Sequence, residues 1–295
     1  MRFLKSLLWL FVVISFTACE KNIDFKLNET PAKLVIEATI ENGEAPYVVL
    51  TNSFDFFSTI NPQLLASNFV HNATIIISDS LKAHTLKEYS IPVGLDYNLY
   101  YYSTDSSDMA SAIIGTVHST YNLKIMVDGK EYTAHTTIPA ISKVVDSVWW
   151  QNAPPSKDSS RVVVKAKATD PPGYGDYVRY YTKKNDEPFF PGLNSVFDDL
   201  FIDGTTYELQ VEPGFDRNLD RDEDDFFFHK GDSVTLKLSN IDRATYDFWR
   251  TMEYSYQSVG NPFSTPIKVL GNISNGALGY FGGYASQYRT LVIPK

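Results

Sequence analysis

The segment Tyr121-Asn122-Leu123-Lys124-Ile125-Met126-Val127, the pair Asp128-Gly129 and the return from Glu131 to Ile138 decide the fold class. An Asp-Gly pair between two strand-forming runs marks a two-residue hairpin loop, because both residues tolerate the positive φ such a loop needs. The segment reads as a β-hairpin. Upstream, Leu34, Ile36, Ala38 and Ile40 lie on one side of a period-two pattern, with Val35, Glu37 and Thr39 on the other, as in a half-buried strand. Asn42-Gly43 turns it, and Tyr47 to Thr51 runs back. Beyond a long polar and aromatic loop, Ala73 to Ser78 and the Tyr-rich Leu95 to Ser103 add two more strands. Strands punctuated by turns, with no helices between them, predict an antiparallel sandwich over residues 32–140, of immunoglobulin-like or transthyretin-like type.

Pro139 and the polar residues near Ser142 mark a joint. A second block, residues 143–295, carries strand patterns at Val144 to Trp150, Arg161 to Thr169, Asp176 to Thr182, Thr206 to Glu212, Ser233 to Leu238 and Thr290 to Ile293. One helix interrupts it near 242–257. There Thr245, Phe248, Trp249, Met252 and Tyr256 recur at helical spacing, with Asn240 or Asp242 available as the cap. The blocks do not repeat each other. The expectation is a mainly β protein of two antiparallel β-sandwich-like domains, the second with one docked helix.

Of the 295 residues, 43% are hydrophobic, enough for substantial cores, and this excludes a disordered or collagen-like chain. A formal charge of −9 argues against nucleic acid, whose binding draws on clustered Lys and Arg. The single Cys excludes an intramolecular disulfide, and no zinc-finger spacing can be written.

Arg2 and Lys5 precede the apolar run Leu7 to Phe16, which ends in Thr17-Ala18-Cys19. Charged, greasy, then small residues make an export signal over 1–18, and the run is too short for a membrane span. Cys19, directly after Ala18, resembles the lipobox of bacterial lipoproteins, with Phe16 where Leu is usual. The resemblance implies an acylated N-terminus at Cys19 and a tether over 19–31. Its acyl chains would hold the protein on the outer-membrane bilayer, since each buried methylene is worth ~0.8 kcal/mol. Cleavage would remove Arg2 and Lys5 and no acid, taking the charge from −9 to −11. Periplasmic and cell-surface display both stay open.

Further residues carry a broader resemblance: Cys19 to Asp24, Leu34 to Glu41, Tyr47 to Thr51, Ala73-Thr74-Ile75, Val145 to Val148, Gly231 to Val234, Asn261 to Ser264, Asn272-Ile273 and Gly279 to Tyr284. Together they are similar to a Bacteroidota family of outer-membrane lipoproteins described as a domain of unknown function. Such proteins are commonly encoded beside TonB-dependent, SusC-like receptors. The resemblance implies an outer-membrane lipoprotein accessory to a transporter or other envelope complex. With the aromatic patches and the lack of enzymatic motifs, the expectation is a non-enzymatic accessory or substrate-binding subunit of a TonB-dependent transport complex, with an outer-membrane β-barrel as partner and a glycan or peptide as ligand. A structural or assembly subunit of a larger outer-membrane complex and a surface hydrolase are the other readings.

Asp220, Asp222 and Asp224 alternate like the first three ligands of a calcium loop, making calcium the one candidate cofactor. The rest departs from the template, with Asp225 where Gly belongs and Gly231 where the bidentate Glu belongs. The competing reading is a solvated acidic loop. Tyr101, Trp149 and Trp150 are candidate contact aromatics, because adjacent strand residues face opposite ways and Trp149 and Trp150 cannot fill one core. Packing at the joint between the blocks is the alternative. Asp-Ser-aliphatic triplets at Ser80, Ser147 and Ser233 resemble an O-glycosylation sequon of exported Bacteroidota proteins. There is no nucleophile elbow, zinc helix or phosphate loop, and the five His are scattered, so no catalytic residue is assigned.

Overall fold

A computed structural model describes residues 31–54, 61–93, 97–154, 158–261, 263–265 and 267–295. Fifteen strands and two helices follow in the order β1 Leu34–Glu41, β2 Tyr47–Asn52, α1 Pro62–Ser67, β3 Thr74–Ser78, β4 Ala83–Val93, β5 Tyr97–Thr104, β6 Ser119–Val127, β7 Lys130–Ile138, β8 Val144–Asn152, β9 Arg161–Thr169, β10 Tyr177–Lys184, β11 Phe190–Phe197, β12 Thr206–Val211, β13 Phe228–His229, β14 Ser233–Ile241, α2 Arg243–Ser258 and β15 Leu278–Val292. The protein is mainly β and sandwich-like, with α2 docked on it.

The strands pair in one long path, β11-β10-β14-β15-β1-β2-β5-β4-β3-β6-β7, and in a second sheet where β9 joins β8, β12 and β13. β4 serves two partners: residues 83–85 pair with β3, and residues 86–93 pair with β5. A strand that changes partners in this way folds the path back on itself. Ile36, Val48, Ile75, Leu123 and Phe281 meet in the first core, whereas Val145, Val164, Val178, Leu236 and Phe228 form the second.

β15 serves both halves. Its first part, Leu278–Tyr284, pairs in parallel with Val35–Glu41, and its second part, Tyr284–Val292, pairs antiparallel with Ser233–Ile241. The seam expected at Pro139 to Ser142 falls between β7 and β8, and β15 crosses it; Ala32–Lys295 form one compact unit. Phe281 and Ala285 enter the first core, while Tyr280 and Tyr284 point the other way, against Phe248 and Trp249 of α2. Asp242 is the cap: its Oδ1 accepts Thr245 N–H at 2.8 Å, and its Oδ2 accepts Thr136 Oγ1 at 2.8 Å and Thr137 N–H at 3.1 Å. One carboxylate thus starts the helix and ties it to β7. Asn240 instead brackets Lys143, accepting its N–H at 2.9 Å and donating to its carbonyl at 3.2 Å.

β4, β11 and α1 lie where no strand or helix pattern is read from the sequence, and β15 begins well before Thr290. The parallel β1–β15 pair is the exception to the antiparallel expectation.

Candidate functional site

The sheet formed by β10, β14, β15 and β1 carries a hollow on each face. On the outer face, alternation sends Glu37 and Glu41 of β1, Tyr280 and Tyr284 of β15, Lys237 of β14, and Arg179 and Tyr181 of β10 into a groove of about 450 Å³. Trp249 of α2 and Arg217, from the loop after β12, close it. Arg179 is 3% exposed, with its guanidinium 3.3 Å from the Trp249 ring centroid and 4.7 Å from that of Tyr181. Burial opposes its charge, but Tyr181, Tyr284, Tyr280 and Glu253 outweigh that and hold its pKa above the ordinary value. Its Nε donates to Ser195 Oγ at 3.1 Å, and Ser195 Oγ donates in turn to Glu253 Oε1 at 2.5 Å. Buried Glu253 also accepts Ser195 N–H at 3.0 Å and Arg217 Nη2 at 3.2 Å, so its charge is fully compensated.

Along the floor, Glu41 pairs with Lys237 and accepts the Tyr288 hydroxyl at 2.5 Å. Glu37 has no hydrogen bond or ion pair among the described residues. Its side chain opens to the groove yet is surrounded by protein, so burial raises its carboxyl above the ordinary value while Arg179 pulls it back. A ladder of stacked rings continues the outer face, Tyr47 to Tyr101 at 5.0 Å and Tyr101 to Tyr89 at 5.7 Å.

On the inner face, between the sheets of the second half, lies the larger hollow, about 860 Å³. Its walls are apolar, with Val145 and Ala166 on one sheet, Val178 and Leu236 on the other, and Leu200 and Ile202 on the turn after β11. Polar groups gather at one side: Tyr246 donates to Asp198 Oδ2 at 2.9 Å, and Arg250 donates to the Tyr246 hydroxyl at 3.2 Å. Burial, followed by Asp198, pushes the Tyr246 pKa up to about 12, so the phenol stays a donor. Leu200, Phe201 and Tyr254 are 61%, 93% and 52% exposed beside it. An apolar interior with a few oriented polar groups is the usual form of a ligand cavity.

Tyr101, one of the expected contact aromatics, stands on the outer face within the ladder, while Tyr102 fills the first core. A bulge between Val145 and Ser147 sets the facing of β8, so Trp150 packs against the second core with Val145 and Val148, and Trp149 lies half-buried on the opposite side. Asp220, Asp222 and Asp224 are exposed and are not brought together. Asp222 Oδ1 accepts Asp224 N–H at 2.7 Å, and Asp224 Oδ1 pairs with Arg161 Nε at 2.9 Å and His229 Nε2 at 3.2 Å. Among the described residues, the acidic groups that converge are Asp158–Asp224–His229 and Asp170–Asp199–Asp203. Ser80 lies on the exposed turn between β3 and β4 and Ser147 on the exposed face of β8, whereas Ser233 opens β14 half-buried. Cys19 lies outside the described residues.

One Ser–His pair does occur. His84 is buried, with Nδ1 2.7 Å from Ser111 Oγ and Nε2 accepting Asp105 N–H at 2.9 Å. Accepting at Nε2 leaves the proton of the neutral ring on Nδ1, so the imidazole donates to Ser111 rather than taking its proton. This geometry positions a loop and does not activate a nucleophile.

Sequence reasoning missed Arg179, Glu37 and Glu253. The first two were within reach, because period two puts Arg179 beside Tyr177 and Tyr181, and Glu37 beside Thr39 and Glu41. Glu253 had no signal, since only docking of α2 shows which helical face meets Ser195.

The chain belongs to the family described as a domain of unknown function (DUF4249), which it matches over residues 20–290. Comparison with curated proteins gave no match.

Proposed function

We infer that this protein is a lipid-anchored binding subunit of the outer membrane, held through Cys19 and working as an accessory to a TonB-dependent transport barrel of the Bacteroidota type. The export-signal pattern and the lone Cys support the anchor. The 860 Å³ cavity carries the binding reading. Its apolar walls suit the side chains of a peptide-like ligand, and Asp198, Tyr246 and Arg250 at one side suit that ligand's polar backbone. Exposed Phe201 and Leu200 favour a second reading, an assembly subunit whose partner covers them.

The test uses the full chain in mild detergent. An apolar fluorescent probe should bind at one site and be displaced by hydrophobic peptides, and Ala166→Phe, which fills the cavity from β9, should abolish binding. Probe binding unchanged by the filling substitution would refute the cavity reading. Extraction from native membranes should recover one barrel partner; a large assembly insensitive to peptides supports the second reading.

A further inference from the structure

Three carboxylates from two segments meet beside the seam between the halves. Asp170 follows β9 directly, Asp199 and Asp203 stand on the turn after β11, and one oxygen of each lies within 4.8 Å of the other two. That spread is the span of two calcium–oxygen bonds of roughly 2.4 Å. Asp203 Oδ1 accepts Gly173 N–H at 2.6 Å, and Asp199 Oδ2 accepts Gly175 and Asp176 N–H at 2.7 and 3.0 Å. These bonds hold the loop after β9 against the turn.

Asp170 differs from the other two. It is 1% exposed, its Oδ2 has no hydrogen-bond partner among the described residues, and one of its carboxylate oxygens is a member of the cluster. Burying a carboxylate oxygen without a partner is costly, so the oxygen calls for a cation or a donor. The adjacent cation is Lys143, fully buried, 3.0 Å from Asp170 Oδ1 and donating to the Asp176 carbonyl at 3.2 Å. Three carboxylates against one ammonium leave two negative charges, and the Asp176 side chain, which accepts Ser142 Oγ at 2.5 Å, adds another nearby. A divalent ion would relieve that crowding.

We propose that Asp170, Asp199 and Asp203 hold a calcium ion, with Lys143 balancing the remaining charge. The donors are all hard oxygens, with no His or Cys among them, which suits calcium and disfavours zinc. The turn that supplies Asp199 and Asp203 also supplies Leu200 and Ile202 to the apolar cavity and Asp198 to the Tyr246 hydroxyl. The ion therefore fixes one wall of the cavity, and the site stands whether or not the cavity takes a ligand.

The experiment strips the full chain in detergent with a chelator, then adds calcium, magnesium or terbium. Calcium should raise the melting temperature by several degrees. Bound terbium should show tyrosine-sensitised emission, with Tyr207 near enough to feel the charge of Asp170, and calcium should quench it by displacement. Asp203→Asn, the least buried of the three, should weaken calcium at least about tenfold, and Asp222→Asn should leave it unchanged. Absence of terbium emission and of any melting shift up to about 10 mM calcium would overturn the site. So would an Asp203→Asn protein that binds like the parent, or a response carried by Asp222. An equal response to magnesium would overturn the choice of calcium.

Discussion

Glu253 shows how much one side chain can organise. Its carboxylate is 3% exposed and is met by the Ser195 N–H and hydroxyl and by Arg217, with Arg179 one bond further on. Glu253→Ala would strand these donors and should cost about 3 to 5 kcal/mol in chemical denaturation, whereas Glu253→Gln, which keeps an acceptor, should cost less. Glu88 illustrates the acid response. Burial alone would raise its pKa, but hydrogen bonds from His71, from the Tyr102 hydroxyl at 2.9 Å and from Asn72 N–H at 3.4 Å prevail and lower it. A depressed carboxyl stabilises the fold fully above the ordinary value of 4.5, and that contribution is lost as pH falls through the lower folded value. Protection of the amides around Ala73, relative to their intrinsic exchange rates, should therefore fall below about pH 4.5 in the parent, and Glu88→Gln should flatten that dependence. At this scale, alternation made the facing of Glu37 and Arg179 readable. The partners that give them meaning, Trp249 and Arg217, come from segments far away in sequence.

The elements that were legible had strong local signals. The Asp128-Gly129 turn gives the β6–β7 hairpin, with Gly129 at φ +70° and Asp128 at φ +49°, and Asp242 starts α2. The elements that were not legible break the rules such signals rest on. β11 contains Pro191 and Gly192, both poor in strand interiors, and is tolerated as the edge of the long sheet path. β4 is half wet, with His84 and Leu86 inside and Thr85 and Lys87 outside. β15 holds three glycines that read as loop, yet two are demanded by close packing. A Cβ on Gly279 would sit 1.9 Å from the Ile36 carbonyl oxygen at φ +98°, and one on Gly283 would sit 2.6 Å from that of Thr137. Gly279→Ala should destabilise the protein by about 2 kcal/mol or more, measured by its denaturation midpoint. A midpoint equal to the parent's would mean that β15 does not lie against β1 at this register.

For the whole molecule, the sequence yielded two blocks but not their union, because the joining strand is the last of the described strands and its parallel partner is the first. The three tryptophans of the described residues, Trp149, Trp150 and Trp249, all lie in the second half, so tryptophan emission reports that half alone. Amide exchange in β3 and β6 reports the other. The shared β15 predicts that both probes give one coincident unfolding transition, while separate midpoints would show two independent bodies. Of the candidate sites, the acidic triad was hidden for the same reason: Asp170 and the pair Asp199 and Asp203 lie about thirty positions apart and meet only once the second sheet closes.

A strand that arrives last has a bearing on biogenesis. Until residue 278 has been synthesised, the flank of β1 destined for β15 offers bare amides and carbonyls, and the first core lacks Phe281 and Ala285. Contacts of such sequence separation form slowly and expose adhesive edges meanwhile. A chain that ends short of β15 leaves this flank of β1 unpaired and open to pairing with a neighbouring molecule.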